Sequence, residues 1–580
     1  MNQRPILKER SRARVKLCGA DIELGNFVRG VDLIGGSGHE ASGVLLDQIA
    51  GLPIAGYLNY GIAAGLSHGY NAYQSSYSGK GEYAAGSASN PQEIGRKFLV
   101  ETGGCAYIDL NHLELCIPEV IDAFDHVAAW HGMLRVAHGA LQRANEGQPP
   151  DQRIEMLVNN SDGLGNSYGS HMNILIKRRT FDDLFRRKLH YLQLLASFQV
   201  SSVILTGQGK VGAENNRGPV PYQISQRADF FETLQGVQTT FDRPIVNSRD
   251  EPLCGKNWKW IDDPDGPARL HIIFFDSTLA HGSSLFRVGL MQLVLTLLEY
   301  GFANHNFILD DPLDAILRYS HDPSLKARAA LTSGRKVTAL ELQSAFLDEV
   351  KHHAAKGLFE GVVPRANDII ALWEDTLTKF AARDFAALAP RLDWVMKQMA
   401  IERAFEQRPN LDWNSPEAKV LDHIYSSLDH GLYWAYEAAG ATEQLVSRGR
   451  IEFFAGNPPE DTRAWTRAML LRRAGAAGVV SVDWDSITFR FRRGSFGVAY
   501  RTLQMADPLA FTRAQTEAFF EQHEDLEDLL NALEELAGSL SGATGAKNKK
   551  ESTSCSSAFD KTKEATHKAT AAAPRAPMIC

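Results

Sequence analysis

Acidic side chains stand two residues apart in two segments that are typical of β-strands. Asp21 and Glu23 lie in the first segment, and Tyr107 and Asp109 lie in the second, which Glu114 follows closely. Because the side chains of a strand alternate between its two faces, each pair projects from one face. Carboxylates that face each other repel unless a cation lies between them, and Mg²⁺ binds a few carboxylates together with nucleotide phosphates. The spacing therefore favours a magnesium–phosphate site.

A polar, glycine-rich segment supplies candidate nitrogen ligands. Residues 159–173 read NNSDGLGNSYGSHMN and run directly into the apolar and basic ILIKRR. Asn, Ser and Gly at this density favour a loop, and the segment after the loop places His171 and Asn173 on one strand face. His271 lies in a second apolar strand, RLHIIFFD, over residues 269–276. The inventory is then several carboxylates and two imidazoles.

Each of these features has a simpler interpretation when it is taken alone. An isolated Asp or Glu on a strand usually lies on a solvated face. The 159–173 segment could be a surface loop with one hydrogen-bonded histidine. His271, with Leu, Ile and Phe as neighbours, would ordinarily be a buried core histidine. The joint occurrence of the set is what favours a site.

Length and periodicity predict more than one domain. At 580 residues the chain is too long for a single core. The pattern predicts five regions: a flexible arm over 1–13, a catalytic domain over 14–408, a variable Gly-, Ala-, Ser- and Tyr-rich loop insertion over 30–90 within it, a smaller C-terminal domain over 409–520, and a disordered tail over 540–580, where large apolar residues are almost absent.

Composition excludes several classes of protein. The net charge of −8 argues against general nucleic-acid binding. The most apolar long stretch, 288–302, is shorter than a membrane span and contains Gln292 and Glu299, so it predicts a buried helix and no membrane segment. Six scattered cysteines without a CxxC pair suit a reducing compartment. The sequence therefore predicts a cytoplasmic enzyme.

Seven longer blocks occur in a specific order. They are GADIELG at 19–25, GCAYIDLNHLELCIPE at 104–119, the 159–173 segment, YQISQRADF at 222–230, RPIVNSRDEP at 243–252, PPEDTRAW at 458–465 and VDWDS at 482–486. In sequence and order they resemble the Pup ligase and Pup deamidase/depupylase family, which belongs to the glutamine-synthetase-like carboxylate–amine ligases. The resemblance covers roughly residues 14–515.

The resemblance implies an α+β fold, in which a curved antiparallel sheet forms a cradle, helices back the sheet, and a small C-terminal α/β domain follows. It also implies ATP or ADP and Mg²⁺ as cofactors. By position it assigns a catalytic role to Asp109, magnesium-site roles to Asp21, Tyr107 and Glu114, further ligand roles to Glu23, His171 and His271, and a nucleotide contact to Trp484. Arg227 and Arg249 are candidates for phosphate or carboxylate binding, since guanidinium groups suit both; internal ion pairs are the alternative.

The chain departs from the family pattern at several positions. Asp21 stands where the family has the first Glu of the opening motif, and Cys105 stands where it has a nucleotide-contacting Arg. Ile117 replaces a nucleotide-site Thr, and Met172 replaces the Glu that follows the strand histidine. The segment after Asp276 also differs. These changes predict altered or weakened handling of ATP.

The resemblance implies chemistry at the C-terminal Gln or Glu, or at the isopeptide bond, of a small disordered Pup-like modifier, with a link to proteasome-type degradation. The two residues that separate Asp109 from His112, and the position of the 30–90 insertion, favour a deamidase or depupylase. The alternatives are an ATP-dependent ligase that joins the modifier to a substrate lysine, and a catalytically weak nucleotide-binding scaffold.

Overall fold

An antiparallel sheet organises the larger part of the protein. The structure is a computed structural model that describes residues 13–31, 37–53, 94–251, 253–254, 263–495 and 497–545. Within these residues eight strands form the sheet, in the order β12-β7-β1-β5-β4-β3-β2, with β6 paired to the end of β1. Their bounds are β1 Cys18–Val28, β2 Leu52–Pro53, β3 Ile94–Phe98, β4 Cys105–Asp109, β5 His112–Cys116, β6 Ile154–Leu157, β7 Ser170–Lys177 and β12 Pro267–Ile272.

The two faces of this sheet differ sharply in polarity. Side chains at alternate positions on β1, β5 and β7 are apolar and fully buried in the main core: Ala20, Ile22, Leu24, Leu113, Leu115, Met172, Ile174 and Ile176. The positions between them carry the carboxylates and imidazoles singled out above. Burial of one apolar face fixes the register, because a slip of one residue would turn all of these side chains over.

Helices cover the apolar face and build the rest of the larger unit. They are α1 Ser37–Asp47, α2 Ala123–Ala144, α3 Arg178–Asp182, α4 Leu189–Thr206, α5 His281–Glu299, α6 Pro312–Ser320, α7 Ala339–Ala354, α8 Ala366–Ala381, α9 Phe385–Leu388, α10 Asp393–Gln407, α11 Pro416–Tyr425, α12 Leu432–Ala438 and α13 Arg448–Gly456. Short strand pairs link them: β8 Lys210–Val211 with β9 Tyr222–Gln223, β10 Thr233–Gly236 with β11 Pro244–Asn247, and β13 Ala329–Ala330 with β14 Lys336–Val337.

Two helices, α4 and α5, are long and apolar enough to cross a membrane by composition. Most of the α4 window (83%) and all of the α5 window lie buried inside the protein. A helix that is apolar on all sides and enclosed by its own fold is a core helix. The predicted buried helix at 288–302 corresponds to α5, which begins earlier, at His281.

A second unit with its own core packs against the edge of the sheet. It consists of α14 Arg463–Gly478, which is kinked at Gly475, a three-stranded sheet of β15 Val479–Val482, β16 Ser486–Arg493 and β17 Gly497–Gln504, and the helices α15 Arg513–Gln522 and α16 Leu526–Gly545. Its core joins Leu470, Ile487, Leu503 and Leu530 to Phe98 of β3.

The predicted domain limits need revision at both ends of this unit. Residues 418–454, which the sequence assigned to the small domain, pack in the main core. We therefore propose a boundary near residue 460 instead of 409. At the other end, α16 places Leu529, Leu530 and Leu533 in the small core and continues to Gly545, so residues 540–545 are helical and not part of a tail.

The remaining region predictions fall largely outside the described residues. This holds for residues 1–12 of the predicted arm, for 32–36 and 54–90 of the 30–90 insertion, and for the tail from 546 onward. The described part of the insertion is not entirely a loop, because α1 packs Ala41, Leu45 and Leu46 into the main core. Apolar spacing at i and i+4 on that short helix explains the difference.

Candidate active site

Strand register brings the predicted polar side chains onto one face of the sheet. Directly opposed residues in antiparallel strands project to the same side. Asp21 opposes Cys116 and His171, Glu23 opposes Glu114, Glu114 opposes Tyr107, Asp109 opposes His112, and Asn173 opposes His271. We call this polar face the cradle. It runs from β12 to β3, across strands that are far apart in sequence.

Three carboxylates lie at the centre of the cradle, of which Glu23 and Glu114 are buried and Asp21 is half-buried. The Tyr107 hydroxyl donates to Glu114 Oε1 at 2.6 Å, the Gly169 N–H donates to Glu23 Oε2 at 2.6 Å, and Asn173 Nδ2 approaches Asp21 Oδ2 at 3.4 Å. Burial raises the pKa of Glu114 well above its ordinary value, and the negative charges of Glu23, Asp109 and Asp21 raise it further. Such a cluster is electrostatically incomplete without a cation.

The ligand geometry fits a cation. Glu23, Glu114 and His171 each place a ligand atom within 4.8 Å of the others, and Asp21, Glu114 and Cys116 form a second such set that shares Glu114. For Glu23, burial acts to raise the pKa, but His171 and the Gly169 N–H hold it below its ordinary value. Glu23 is therefore an ionised carboxylate near neutral pH, as a metal ligand must be.

The two imidazoles are neutral and adjacent. The His171 and His271 rings lie 5.0 Å apart, centroid to centroid. Burial lowers the pKa of His171 to about 4 and that of His271 well below its ordinary value. His271 Nδ1 contacts Asn173 Oδ1 at 2.9 Å, whereas its buried Nε2 has no hydrogen-bond partner among the described residues. A neutral ring oriented by one nitrogen leaves the other available as a ligand.

Guanidinium groups form the positive side of the cradle. Arg227 is completely buried, and its Nη1 donates to the Tyr168 carbonyl at 2.6 Å, yet its Nε and Nη2 have no partner among the described side chains and backbone groups. Burial lowers the pKa of Arg227, and Glu23 opposes this shift. The positive charges of Arg227, Arg249 and Arg243 all lower the pKa of His171, so the three guanidinium groups lie near that imidazole. Buried, unpaired N–H groups next to a carboxylate cluster suit an anion such as phosphate.

Asp109 faces the cradle at the end of β4. It is the last residue of β4, it is only partly buried, and it is paired with His112 across a two-residue turn. Leu110 in that turn has φ = 51°, in the left-handed region that Leu rarely adopts. Strained backbone of this kind occurs often beside active residues. His112 stacks on Tyr168 at 4.1 Å, and its Nδ1 contacts the Leu24 carbonyl at 3.1 Å, which holds the ring in place.

An aromatic and cationic surface closes the β3 end. Trp484, in the turn between β15 and β16, meets the Phe98 ring edge-on at 5.5 Å. The Arg467 and Arg96 guanidinium carbons lie 4.9 and 5.8 Å from the Trp484 ring centroid. The sequence predicted Trp484 here, but it did not predict that the small unit would be held against β3 to form a wall of the site.

The structure brings together the predicted residues Asp21, Glu23, Tyr107, Asp109, Glu114, His171 and His271, with Arg227, Arg249 and Trp484 around them. Sequence reasoning missed Arg243, Arg269, Arg96, Arg467 and Cys116. Arg243 lies inside the 243–252 block, and Cys116 lies two residues after Glu114, so both had a signal. Arg467 had none, because its partner Glu119 is 348 residues away.

Two of the departures from the family pattern do not face the cradle. Met172 and Ile117 are buried in the main apolar core, so the side chains at these positions cannot touch a ligand on the polar face. Cys105 does face the cradle, directly opposite Cys116. Of these three departures, Cys105 is therefore the one that could weaken the handling of ATP.

Comparison with known proteins identifies the family. A family model described as Pup-ligase protein matches residues 58–488. This chain belongs to the Pup-ligase family. It is 32% identical to a depupylase of Acidothermus cellulolyticus over 80% of this chain and 87% of the relative, and 35% identical to a Pup deamidase/depupylase of Mycolicibacterium smegmatis over 76% and 84%. It is also 34% identical to a Pup–protein ligase of Acidimicrobium ferrooxidans over 71% and 86%.

Solved structures share the fold. The complex between Pup and its ligase PafA aligns with a TM-score of 0.66 at 21% identity and covers 94% of this chain and 98% of that one. The ligase PafA in complex with ADP aligns with a TM-score of 0.61 at 24% identity and covers 74% and 89%. The predicted α+β architecture of an antiparallel sheet backed by helices is confirmed. Since both branches of the Pup-ligase family match, the comparisons leave the direction of the reaction open.

Proposed function

We propose that the protein is a nucleotide-bound, magnesium-dependent hydrolase of the deamidase/depupylase type. It would act on the C-terminal Gln of a Pup-like modifier or on the isopeptide bond between that modifier and a substrate lysine. One observation carries the proposal: the cradle is divided into a carboxylate centre and a guanidinium side, and the partly exposed Asp109 lies on the same face at the end of β4.

The residues present fit both cofactors. Glu23, Glu114 and His171 would hold Mg²⁺, with Asp21 and Tyr107 beside them. Such an ion neutralises phosphate and developing oxyanion charge. The unpaired Nε and Nη2 of Arg227, with Arg243 and Arg249, would bind the phosphates of ATP or ADP. Trp484 would contact the nucleotide, a role consistent with its place beside two guanidinium groups.

Asp109 would act on the scissile carbonyl. As a nucleophile its carboxylate oxygen would attack the amide carbon, the C–N bond would break, and the amine would leave with a proton taken from water. Water would then hydrolyse the mixed anhydride to the free acid and the Asp109 carboxylate. As a base it would instead remove a proton from the attacking water. In both routes the positive side of the cradle stabilises the charge that develops on the carbonyl oxygen. His112, paired with Asp109 and fixed by Leu24 and Tyr168, would keep the turn in place.

Two observations favour hydrolysis over ligation. Asp109 and His112 are cross-strand partners around a two-residue turn. The family resemblance links this spacing to the deamidase branch. Depupylase relatives align over 76–80% of this chain, whereas the ligase of Acidimicrobium ferrooxidans aligns over 71%. The proposal also includes a cytoplasmic location and a link between the modifier's conjugates and proteasome-type degradation. The partner is the small modifier.

The experiment tests hydrolysis and ligation with the same purified protein. Purified protein with ADP or ATP and Mg²⁺ is incubated with Pup ending in Gln, and the conversion of amide to acid is followed by mass spectrometry. In parallel, Pup ending in Glu and a lysine-bearing acceptor are supplied with ATP. We expect hydrolysis in the first reaction and no conjugate in the second.

Two variants make the test specific. Asp109→Asn should abolish hydrolysis, and Asp151→Asn, at an exposed carboxylate in the loop before β6, should not change it. Conjugate formation without hydrolysis would establish the ligase instead. No product in either reaction, from protein that still binds ADP, would establish a nucleotide-binding scaffold.

A further inference from the structure

Helices α2 and α5 pack against each other and enclose a buried cation. Arg287, on α5, is 1% exposed, and its guanidinium carbon lies 4.5 Å from the centroid of the Trp130 ring on α2. Arg287 Nη1 donates to Thr278 Oγ1 at 3.3 Å, and Trp130 Nε1 donates to the Thr278 carbonyl at 2.9 Å. The guanidinium group is therefore fixed between the two helices.

One edge of this guanidinium group makes no hydrogen bond within the described part of the chain. The edge carries the Nε and Nη2 atoms of Arg287, and both atoms are buried. Their N–H bonds are nearly parallel, because the guanidinium group is planar. This is the edge with which an arginine binds a single anion through two hydrogen bonds. The orientation of Arg287 therefore suits an anion inside the core.

His126 supplies a third polar group beside this edge. It lies one helical turn before Trp130, so the two side chains project from the same side of α2. His126 is buried, and neither of its ring nitrogens has a hydrogen-bond partner among the described residues. Burial, and then the positive charge of Arg287, lower the pKa of His126 to about 3. The ring is therefore neutral and has one N–H to donate.

The carboxylates near Arg287 are bound to other donors. Asp276 accepts one side-chain hydroxyl and two backbone N–H groups at 2.8–2.9 Å. Asp393 accepts backbone N–H groups just before α5 and a tyrosine hydroxyl. Burial lowers the pKa of Arg287 to about 9, although both carboxylates oppose this shift, so Arg287 is charged at neutral pH. A buried cation without a directly bonded counter-charge is costly.

We propose that Arg287 and His126 bind a small monovalent anion of the halide class, such as chloride, between α2 and α5. The anion accepts the two N–H groups on the edge of Arg287 and the one N–H of His126. A halide suits three donors in apolar surroundings, because a larger oxyanion such as sulfate would bring further charge and oxygens without donors. This site is separate from Arg227, the proposed phosphate contact.

The test uses the full-length protein in a gluconate buffer that contains no halide. Chloride then replaces gluconate at constant ionic strength, and the denaturant unfolding midpoint is measured. We expect the midpoint to rise with the logarithm of the chloride concentration, because an anion that binds only the folded state stabilises it by mass action. Bromide should produce the same rise. Crystals grown in bromide should show an anomalous peak between Arg287 and His126.

Three substitutions locate the site. Arg287→Met should remove the chloride dependence. Arg287→Lys keeps the charge but lacks the edge with two donors, so it should weaken chloride binding by roughly 10–100-fold. His126→Phe should weaken chloride binding as well, because one donor is lost. The control is Arg448→Met, at a side chain that is 84% exposed; this variant should respond to chloride as the wild type does.

A wild-type midpoint that is independent of chloride would overturn the proposal, and so would water alone between Arg287 and His126 in the bromide crystals. An Arg287→Met variant that responds to chloride as the wild type does would also overturn it, because the halide would then act elsewhere. Circular dichroism checks the folding of each variant, and the bromide peak in the wild type decides if Arg287→Met does not fold. The measurements need neither nucleotide nor modifier, so this proposal and the hydrolase proposal fail independently.

Discussion

Replacement of Glu119 with Gln should detach the small unit from the sheet. Glu119 follows β5, and its carboxylate accepts from Arg463 Nε at 2.7 Å and from Arg467 Nη2 at 2.6 Å. Both arginines lie on α14. Arg467 also donates to the Gly103 carbonyl at 2.8 Å and to the Trp484 carbonyl at 2.9 Å. A single carboxylate therefore joins the cradle, α14 and the loop that carries Trp484.

The size of the effect follows from the pKa of Glu119. Burial acts to raise it, but the two guanidinium groups prevail and hold it at about 2, against an ordinary value of 4.5. That difference corresponds to roughly 3 kcal/mol. Because the pKa is lowered in the folded state, this stabilisation is complete above pH 4.5 and is lost as the pH falls toward 2. The Gln variant also leaves two buried cations without a counter-charge, which costs about 3–5 kcal/mol in comparable pairs.

The assay combines global and local measurements. Denaturant unfolding at pH 7 should show a lower midpoint, and hydrogen–deuterium exchange should rise in peptides from α14 and β15–β17 before it rises in β1 or β7. Binding of ADP should weaken, because Trp484 loses its anchor. Glu527→Gln is the control, since its pair with Arg493 is exposed and should matter little.

An unchanged midpoint in Glu119→Gln, with unchanged exchange in α14, would refute this reasoning. It would mean that the apolar contact of the small core with Phe98 holds the units together without the ion pairs. A loss of the same size in Glu527→Gln would be equally damaging, because it would show that the measurement reports net charge and not the buried contact.

Three further predictions concern separate parts of the structure. Gly169→Ala should abolish cation binding in the cradle without unfolding the protein, because a Cβ there would come within 2.3 Å of His171 Nε2 and 2.8 Å of Glu23 Oε1; isothermal titration with Mg²⁺ and ADP measures this. Burial raises the pKa of Asp393 to about 6, so its contribution to stability is complete below pH 3.8 and is lost as the pH rises to 6; Asp393→Asn should remove roughly 3 kcal/mol of pH dependence from the unfolding free energy over that interval. Leu530→Ala should cost about 2–5 kcal/mol on denaturant unfolding, because the side chain is fully buried in the small core.

The glycine and leucine predictions each have a matched control variant. Gly449→Ala, on α13 with no atom near the added methyl, should leave cation binding intact; equal loss in both glycine variants would point to a general effect. An unchanged pH slope in Asp393→Asn would assign that slope to other groups. Leu164→Ala, at a side chain that is 56% exposed, should be nearly neutral, and a neutral Leu530→Ala would mean that α16 does not belong to the small core.

The sequence predicted the cradle well because the chemistry and the strand period coincide there. Asp21 and Glu23 stand two residues apart, as do Tyr107 and Asp109 and then His112 and Glu114, with apolar residues between them. This pattern indicates both the strand and the face. The long polar blocks add the order of the strands through family resemblance. The sequence therefore predicts the larger fold and most of the proposed ligands.

The domain boundary was harder to predict because the apolar spacing of a helix does not show which helix or sheet it packs against. Helices α11–α13 look like the start of a separate unit in sequence, yet Tyr425, Tyr433 and Phe454 are buried in the main core. The end of α16 was missed for a similar reason, since its last turns are rich in Gly, Ser and Ala, which weaken a helical signal.

The amino-acid sequence by itself determined which acidic and imidazole side chains share a strand face, because alternation along a strand is a local property of the backbone. Only the tertiary structure decided which of those residues meet. The sharing of Glu114 between two donor sets, the contact of Cys105 with Cys116, the unpaired nitrogens of Arg227 and the hold of Glu119 on Trp484 all join positions that are distant along the chain or lie on different strands. Such contacts depend on long-range packing and burial, which spacing along the chain does not record.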